Sequence, residues 1–97
     1  MKEAQELNLL FDLDKNFNIR STIINDNIRV STAAIFYESS FFGDYYQLET
    51  FIFKKEGNSL MKIHNVSATE KGLQYCIDFH NKTVCLIKNK LNENTSN

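Results

Sequence analysis

The strongest constraint on the fold is one apolar stripe close to the C-terminus. Six residues recur there at spacings of four, three, four, three and four: Leu73, Ile77, His80, Val84, Ile87 and Leu91. This spacing places them on one side of an α-helix. Ser67 and Glu70 match a capping box at its start, because the Ser67 hydroxyl would accept a hydrogen bond from the Glu70 amide.

The same region permits one alternative. Residues 75–79 and 83–88 are both β-prone, and residues 80–82 could turn the chain between them into a hairpin. The cap and the unbroken stripe favour the helix. The residues that follow, 92–97, are polar, and we predict a frayed tail there.

Upstream of the helix the pattern is that of strands. Residues 19–24 and 28–37 are rich in β-branched side chains, and the Asn-Asp-Asn sequence between them tolerates the backbone of a tight turn. Residues 47–55 alternate, with bulky apolar side chains on both faces, which indicates either a central strand or a strand with one face under a helix. After a turn at residues 56–58, residues 59–64 form a short returning strand.

These elements predict an α+β fold: an antiparallel meander of three to four strands packed against one long C-terminal helix. Residues 1–91 would form a single domain, within which residues 1–14 read as a short helix or an arm. We expect Phe36, Ile52 and the aromatic residues of the third strand to supply the sheet face under the helix.

Charge and hydropathy exclude several classes of partner. The formal net charge is −1, so no overall field draws the chain to nucleic acid or to an anionic membrane. The lysines of the predicted helix read as its solvated side: Lys71, Lys82, Lys88 and Lys90. No apolar run approaches the roughly 20 residues that span a bilayer, and the N-terminus has no signal-peptide pattern. We expect a cytoplasmic protein with both cysteines reduced.

No residue pattern points to catalysis, a metal or a cofactor. Cys76 and His80 share a helix face, but the spacing of a zinc site is missing, and we interpret them as core residues. As a nucleophile pair they lack an orienting group, since Asp78 lies at a different angle on the helix. The three glycines are isolated and form no phosphate-binding loop. We expect a protein that is not an enzyme and needs no cofactor.

Aromatic residues concentrate around one predicted loop. Eight of the twelve lie within residues 30–53, and four of these follow one another closely in the segment Phe-Phe-Gly-Asp-Tyr-Tyr. Loops face water, so not all four rings can be buried there. We expect Phe41 or Phe42, or both, to fold back over the sheet edge. Tyr45 and Tyr46, beside Asp44 and Glu38, would form an acidic and aromatic contact patch. The candidate partner-binding residues are Glu38, Phe41, Phe42, Asp44, Tyr45, Tyr46 and Glu49.

The order of motifs resembles a family of small phage proteins. It runs R-S-T-I-I, V-S-T, E-S-S-F, L-E-T-F-I-F and S-A-T-E-K, ahead of H-N-K-T-V, over about residues 20–88. The chain departs from the family at Phe51, where Met is usual, and at Glu38 and Ser39, where Asp and His are usual. The resemblance implies the same fold and a phage or prophage origin, and it brings no activity with it.

Together these features favour a non-enzymatic protein that binds and inhibits a host defence protein, such as a CRISPR effector, through the aromatic-acidic loop. The alternative is an oligomeric sponge for a small ligand, in which a nucleotide signal lies between Tyr rings and Lys54, Lys55 or Arg29. A self-complementary patch or an unpaired strand edge would give a homodimer.

Overall fold

Residues 15–95 are described by a computed structural model of the chain. They form four strands followed by one helix. The predicted helix or arm at residues 1–14 lies outside the described residues. We name the strands β1 to β4 and the helix α1, with these bounds: β1 Phe17–Ile23, β2 Ile28–Tyr37, β3 Tyr45–Lys54, β4 Ser59–Ser67 and α1 Glu70–Thr95.

The sheet is an antiparallel meander, as predicted. Its spatial order is β1-β2-β3-β4, so β3 lies inside the sheet, in agreement with its bulky side chains on both faces. β2 and β3 pair along their whole length, from Ile28 opposite Lys54 to Tyr37 opposite Tyr45. An irregularity in the β3–β4 register between Thr50 and Phe51 offsets the two halves of β4.

Asparagine side chains close the turn end of the sheet. The Asn25 side-chain oxygen accepts hydrogen bonds from the amides of Asn27 (2.8 Å) and Ile28 (2.8 Å), which fixes the turn between β1 and β2. The Asn27 side chain in turn accepts from the Glu56 amide at 2.7 Å, where a single 3-10 turn joins β3 to β4. The predicted polar turns therefore hold each other in place.

Helix α1 is continuous, so the alternative hairpin at residues 75–88 is wrong. Its N-cap is Thr69 rather than Ser67: the Thr69 hydroxyl accepts from the Gly72 amide at 2.9 Å, two residues later than the capping box predicts. The Ser67 carbonyl instead accepts from the Thr69 amide, because β4 extends to Ser67. The helix continues to Thr95, into the segment predicted as a tail.

The buried line of α1 is rotated from the predicted stripe. Its buried residues are Gly72, Cys76, His80 and Thr83, whereas Leu73 is 40 % exposed. Only residues 68 and 69 separate β4 from α1, so the first turn of the helix lies directly against the strand end. A side chain at position 72 would collide with the Ser67 carbonyl, and glycine is the residue that fits. This close contact sets the rotation of the helix.

The centre of the sheet face under α1 is polar. Val30 and Leu48 are buried, but the fully buried side chains between them are Thr32 and Thr50. The expected aromatic filling is partly wrong, because Phe51 points to the face opposite the helix together with Glu49. Position parity in β3 decides this, since neighbouring residues face opposite sides.

Candidate functional site

The aromatic segment forms an ordered loop at residues 38–44, between β2 and β3, which we call the tip loop. The Ser39 hydroxyl accepts hydrogen bonds from the amides of Phe41 (3.2 Å) and Phe42 (3.0 Å), which makes a side-chain-closed turn. Gly43 follows with φ of +76°, a conformation that other residues rarely adopt. Serine and glycine thus define where the two Phe side chains point.

Both rings at the tip point into solvent. Phe41 is 90 % exposed and Phe42 is 87 % exposed, and their ring centroids are 6.1 Å apart. The expectation that at least one of them folds back over the sheet is therefore wrong. The turn closed by Ser39 holds both residues beyond the strand ends, so neither ring reaches the sheet.

The two tyrosines after the loop differ in burial because they lie on opposite faces of β3. Tyr45 is 41 % exposed and stacks on Tyr37, with ring centroids 5.5 Å apart and planes at 19°. Tyr46 is half-buried and packs between Phe36 (5.3 Å) and Phe17 (5.8 Å). Tyr45 therefore presents an exposed ring at the start of β3, and Tyr46 supports the fold.

The three candidate carboxylates also divide. Glu38 and Asp44 are exposed and flank the tip loop, and Glu38 pairs with Lys15 at 3.2 Å. Glu49 is only 2 % exposed, accepts a hydrogen bond from the Tyr37 hydroxyl, and lies 3.6 Å from the Lys62 ammonium group. Glu49 is thus a buried structural residue, separate from the surface formed by the other two.

The contact between Tyr37 and Glu49 perturbs the phenol. Desolvation, and then the hydrogen bond to the Glu49 carboxylate, raise the pKa of Tyr37 to about 12. The phenol therefore stays protonated and remains a donor across the physiological range. Its ring, held in this way, is the platform on which Tyr45 stacks.

The sequence analysis did not predict a polar network that lies under the helix. The His80 ring is fully buried, with Nδ1 2.8 Å from the Thr32 hydroxyl and Nε2 2.9 Å from the Thr22 hydroxyl. Thr32 also meets the Thr50 hydroxyl at 2.9 Å. We call these four residues the Thr–His network. Burial, with a smaller contribution from Arg20, lowers the pKa of His80 to about 4. The sequence feature that could have predicted this network is a threonine at a helix-facing position in each of three adjacent strands.

The cysteines stay apart. Cys76 is a buried core residue, as predicted, and its Sγ donates to the Leu73 carbonyl at 3.3 Å. Burial raises the pKa of the Cys76 thiol. Cys85 is exposed on the helix. The other histidine, His64, stacks its ring on Phe79. Within residues 15–95, no three His, Cys, Asp or Glu side chains converge as metal ligands.

The residues of the predicted ligand sponge lie at opposite ends of the sheet. Lys55 and Arg29 line a cavity of about 350 Å³ at the turn end, together with Phe53. Tyr45 lies at the other end of β3, roughly 30 Å away at the rise of an extended strand. Tyr rings and cations therefore do not meet at one site within a single chain.

Comparison with protein-family models, with curated proteins and with solved structures finds no match to this chain. Among residues 15–95, no helix is long and apolar enough to cross a bilayer.

Proposed function

We propose that this is a non-enzymatic protein of phage or mobile-element origin that inhibits a host defence protein, such as a CRISPR effector, by occupying its surface. The contact surface is the tip loop with Tyr45. One observation carries the proposal: Phe41 and Phe42 are adjacent, almost fully exposed and held in an ordered turn. Contiguous exposed apolar side chains are a recognised mark of protein–protein contact sites.

The energy available at this surface is large for its size. Each Phe contributes about 2–3 kcal/mol when it passes from water into an apolar pocket. Binding would order less of the loop backbone than it would in a flexible loop, because the Ser39 hydroxyl already accepts hydrogen bonds from both Phe amides in the free protein. Tyr45, the first residue after the tip loop, adds a rigid ring with a polar end. These side chains have the character of an interface hot spot.

The inhibitory role and the origin rest on the resemblance to phage proteins and on the small size of the chain. A chain of 97 residues with two exposed Phe side chains in one turn is suited to blocking a surface of a larger protein. A partner with an apolar pocket matches the tip loop, and a host effector surface is where a phage protein would act.

The first test is capture of the partner from a bacterial lysate with tagged protein. The loop variant is Phe41→Ser/Phe42→Ser, and the matched control is Tyr75→Ser, which removes another aromatic ring that is 67 % exposed, on α1. We expect one stoichiometric protein with wild type and control, and its loss with the loop variant. Truncating one hot-spot ring weakens binding by about thirtyfold or more. Equal capture by the loop variant would exclude the tip loop as the site. Tyr46 is left unchanged because its ring supports the fold.

The second test addresses inhibition itself. The same three proteins are expressed in bacteria that carry one defence system each, including CRISPR systems, and phage plaques are counted. Wild type and Tyr75→Ser should restore plaque formation against at least one system, whereas the loop variant should not. Unchanged plaque counts with every system, despite a captured partner, would contradict inhibition and leave binding alone.

A ligand sponge remains the second candidate, on the observation that Lys55 and Phe53 line a cavity at the turn end. A cation beside an aromatic ring suits an anionic nucleotide. The test is a thermal melt with a panel of cyclic dinucleotides and nucleoside triphosphates. A rise in Tm that Lys55→Ala abolishes would support this function. A panel without any shift would reject it.

A further inference from the structure

The C-terminal half of α1 carries an apolar surface that the sheet does not cover. Leu86 is 65 % exposed, and with Ile87, Lys90 and Leu91 it lines a shallow depression of about 270 Å³, which we call the helix groove. Leucine side chains exposed to this degree are individually ordinary. Here the exposed leucine borders a depression large enough to receive an aromatic side chain.

The charges around the helix groove are opposite to those of the tip loop. Between residues 79 and 92 the helix carries Lys82, Lys88 and Lys90 and no carboxylate, and the next acidic residue is Glu93. Lys90 lines the groove itself, and Lys82 lies one turn from Leu86 on the same side. The tip loop, residues 38–44, carries two carboxylates, and because Glu38 pairs with Lys15 at 3.2 Å, Asp44 is the charge that can approach Lys90. The two surfaces are complementary in charge, and both are apolar at their centres.

The two surfaces lie at opposite ends of the same molecule. β4 ends at Ser67, opposite Gln47 near the start of β3, so α1 begins at the tip-loop end of the sheet. The helix passes under the middle of β2, where His80 meets Thr32, and then continues towards the turn end. At 1.5 Å per helical residue and about 3.4 Å per strand residue, the helix groove is roughly 30 Å from the tip loop. A chain therefore cannot close this contact on itself.

We propose that the helix groove binds the tip loop of a second copy of this chain, so that copies associate head to tail. Phe41 or Phe42 of one copy enters the groove beside Leu86 of the next, and Asp44 approaches Lys90. This contact is heterologous. In a dimer, one copy still has an unused groove and the other an unused tip loop, so assembly continues beyond the dimer as concentration rises. It competes with any other protein for the tip loop.

The test uses the full chain alone and needs no host protein. Sedimentation velocity from low micromolar to near-millimolar protein should show a weight-average mass that rises steadily with concentration. Phe41→Ser/Phe42→Ser and, separately, Leu86→Glu should each weaken association by about tenfold or more. These side chains are exposed, so the variants should keep the wild-type Tm, and Leu86→Ala replaces Leu86→Glu if the charge lowers it.

Mixing the two variants tests the head-to-tail arrangement directly. The loop variant keeps its groove and the groove variant keeps its loop, so the mixture should form a 1:1 dimer that does not grow further. A charge exchange gives a second readout. Lys90→Glu and Asp44→Lys should each weaken association by up to about fivefold at low salt, and the double variant should restore it.

Three results would overturn the proposal. The first is a wild-type protein that stays monomeric at every concentration. The second is association that persists unchanged in both the loop and the groove variants, which would place the contact elsewhere. The third is a mixture of the two variants that fails to dimerise, which would indicate a two-fold contact between identical surfaces. None of these results bears on capture of a host protein by the tip loop.

Discussion

Acidification should destabilise this protein through a single buried histidine. His80 is fully buried under the helix, and both of its ring nitrogens meet threonine hydroxyls. A neutral imidazole offers one donor and one acceptor, and the two hydroxyls can adapt to either tautomer. Protonation would place a positive charge in this buried site, near the positive Arg20 side chain. The folded state therefore resists protonation.

The magnitude follows from the difference in pKa between the folded and unfolded states. In the unfolded chain His80 keeps the ordinary value of 6.5, and in the folded chain the value is about 4. Below 6.5 the unfolded state binds a proton that the folded state does not, so stability falls as the pH falls. The loss is about 2 kcal/mol between about pH 7 and pH 5, and it approaches about 3 kcal/mol near pH 4. Nothing further is lost to this residue once the pH is well below the folded pKa.

The assay is urea unfolding at several pH values for the wild type and for His80→Gln. Glutamine can still donate and accept hydrogen bonds but does not titrate, so carboxylates and the other histidine cancel in the comparison. We expect the wild type to lose about 2 kcal/mol more than the variant between about pH 7 and pH 5. Parallel stability curves for the two proteins would refute the reasoning. So would a His80 pKa near 6.5, measured by NMR in the folded protein.

Substitutions at four further positions test the packing of the helix and of the buried carboxylate. Gly72→Ala should destabilise the fold by more than about 1 kcal/mol in chemical unfolding, although alanine stabilises most helices, because its methyl group would collide with the Ser67 carbonyl; a gain in stability would contradict this contact. Thr69→Ala should cost about 1 kcal/mol, by loss of the N-cap bond to Gly72, and Thr69→Ser should recover most of it. Tyr37→Phe should lower the free energy of unfolding by about 1–3 kcal/mol, because it removes a donor from the buried Glu49 carboxylate. Glu49→Gln should destabilise the Tyr37→Phe protein less than it destabilises the wild type. Additive effects of the two changes would show that the two groups are not coupled.

Local patterns were sufficient to predict the elements of this fold. The strand at residues 28–37 has the predicted bounds, the polar turn before it has the predicted residues, and β3 is central because its side chains are bulky on both faces. The long helix follows from an apolar periodicity of more than five turns and from good capping residues nearby. Periodicity and turn chemistry are properties of neighbouring residues, which is why sequence alone determined them.

Contacts between distant residues needed the tertiary structure. The rotation of α1 depends on how closely Gly72 approaches the end of β4, and the Thr–His network needs three strands to align under one helix position. Glu49 and Tyr45 lie on the same face of β3, yet Glu49 is buried in the middle of the strand and Tyr45 is 41 % exposed at its end, although both were candidates for one surface. The Ser39 turn, rather than hydrophobicity, decides that Phe41 and Phe42 face water. A sequence states which side chains a chain has, and only the folded geometry decides which of them meet.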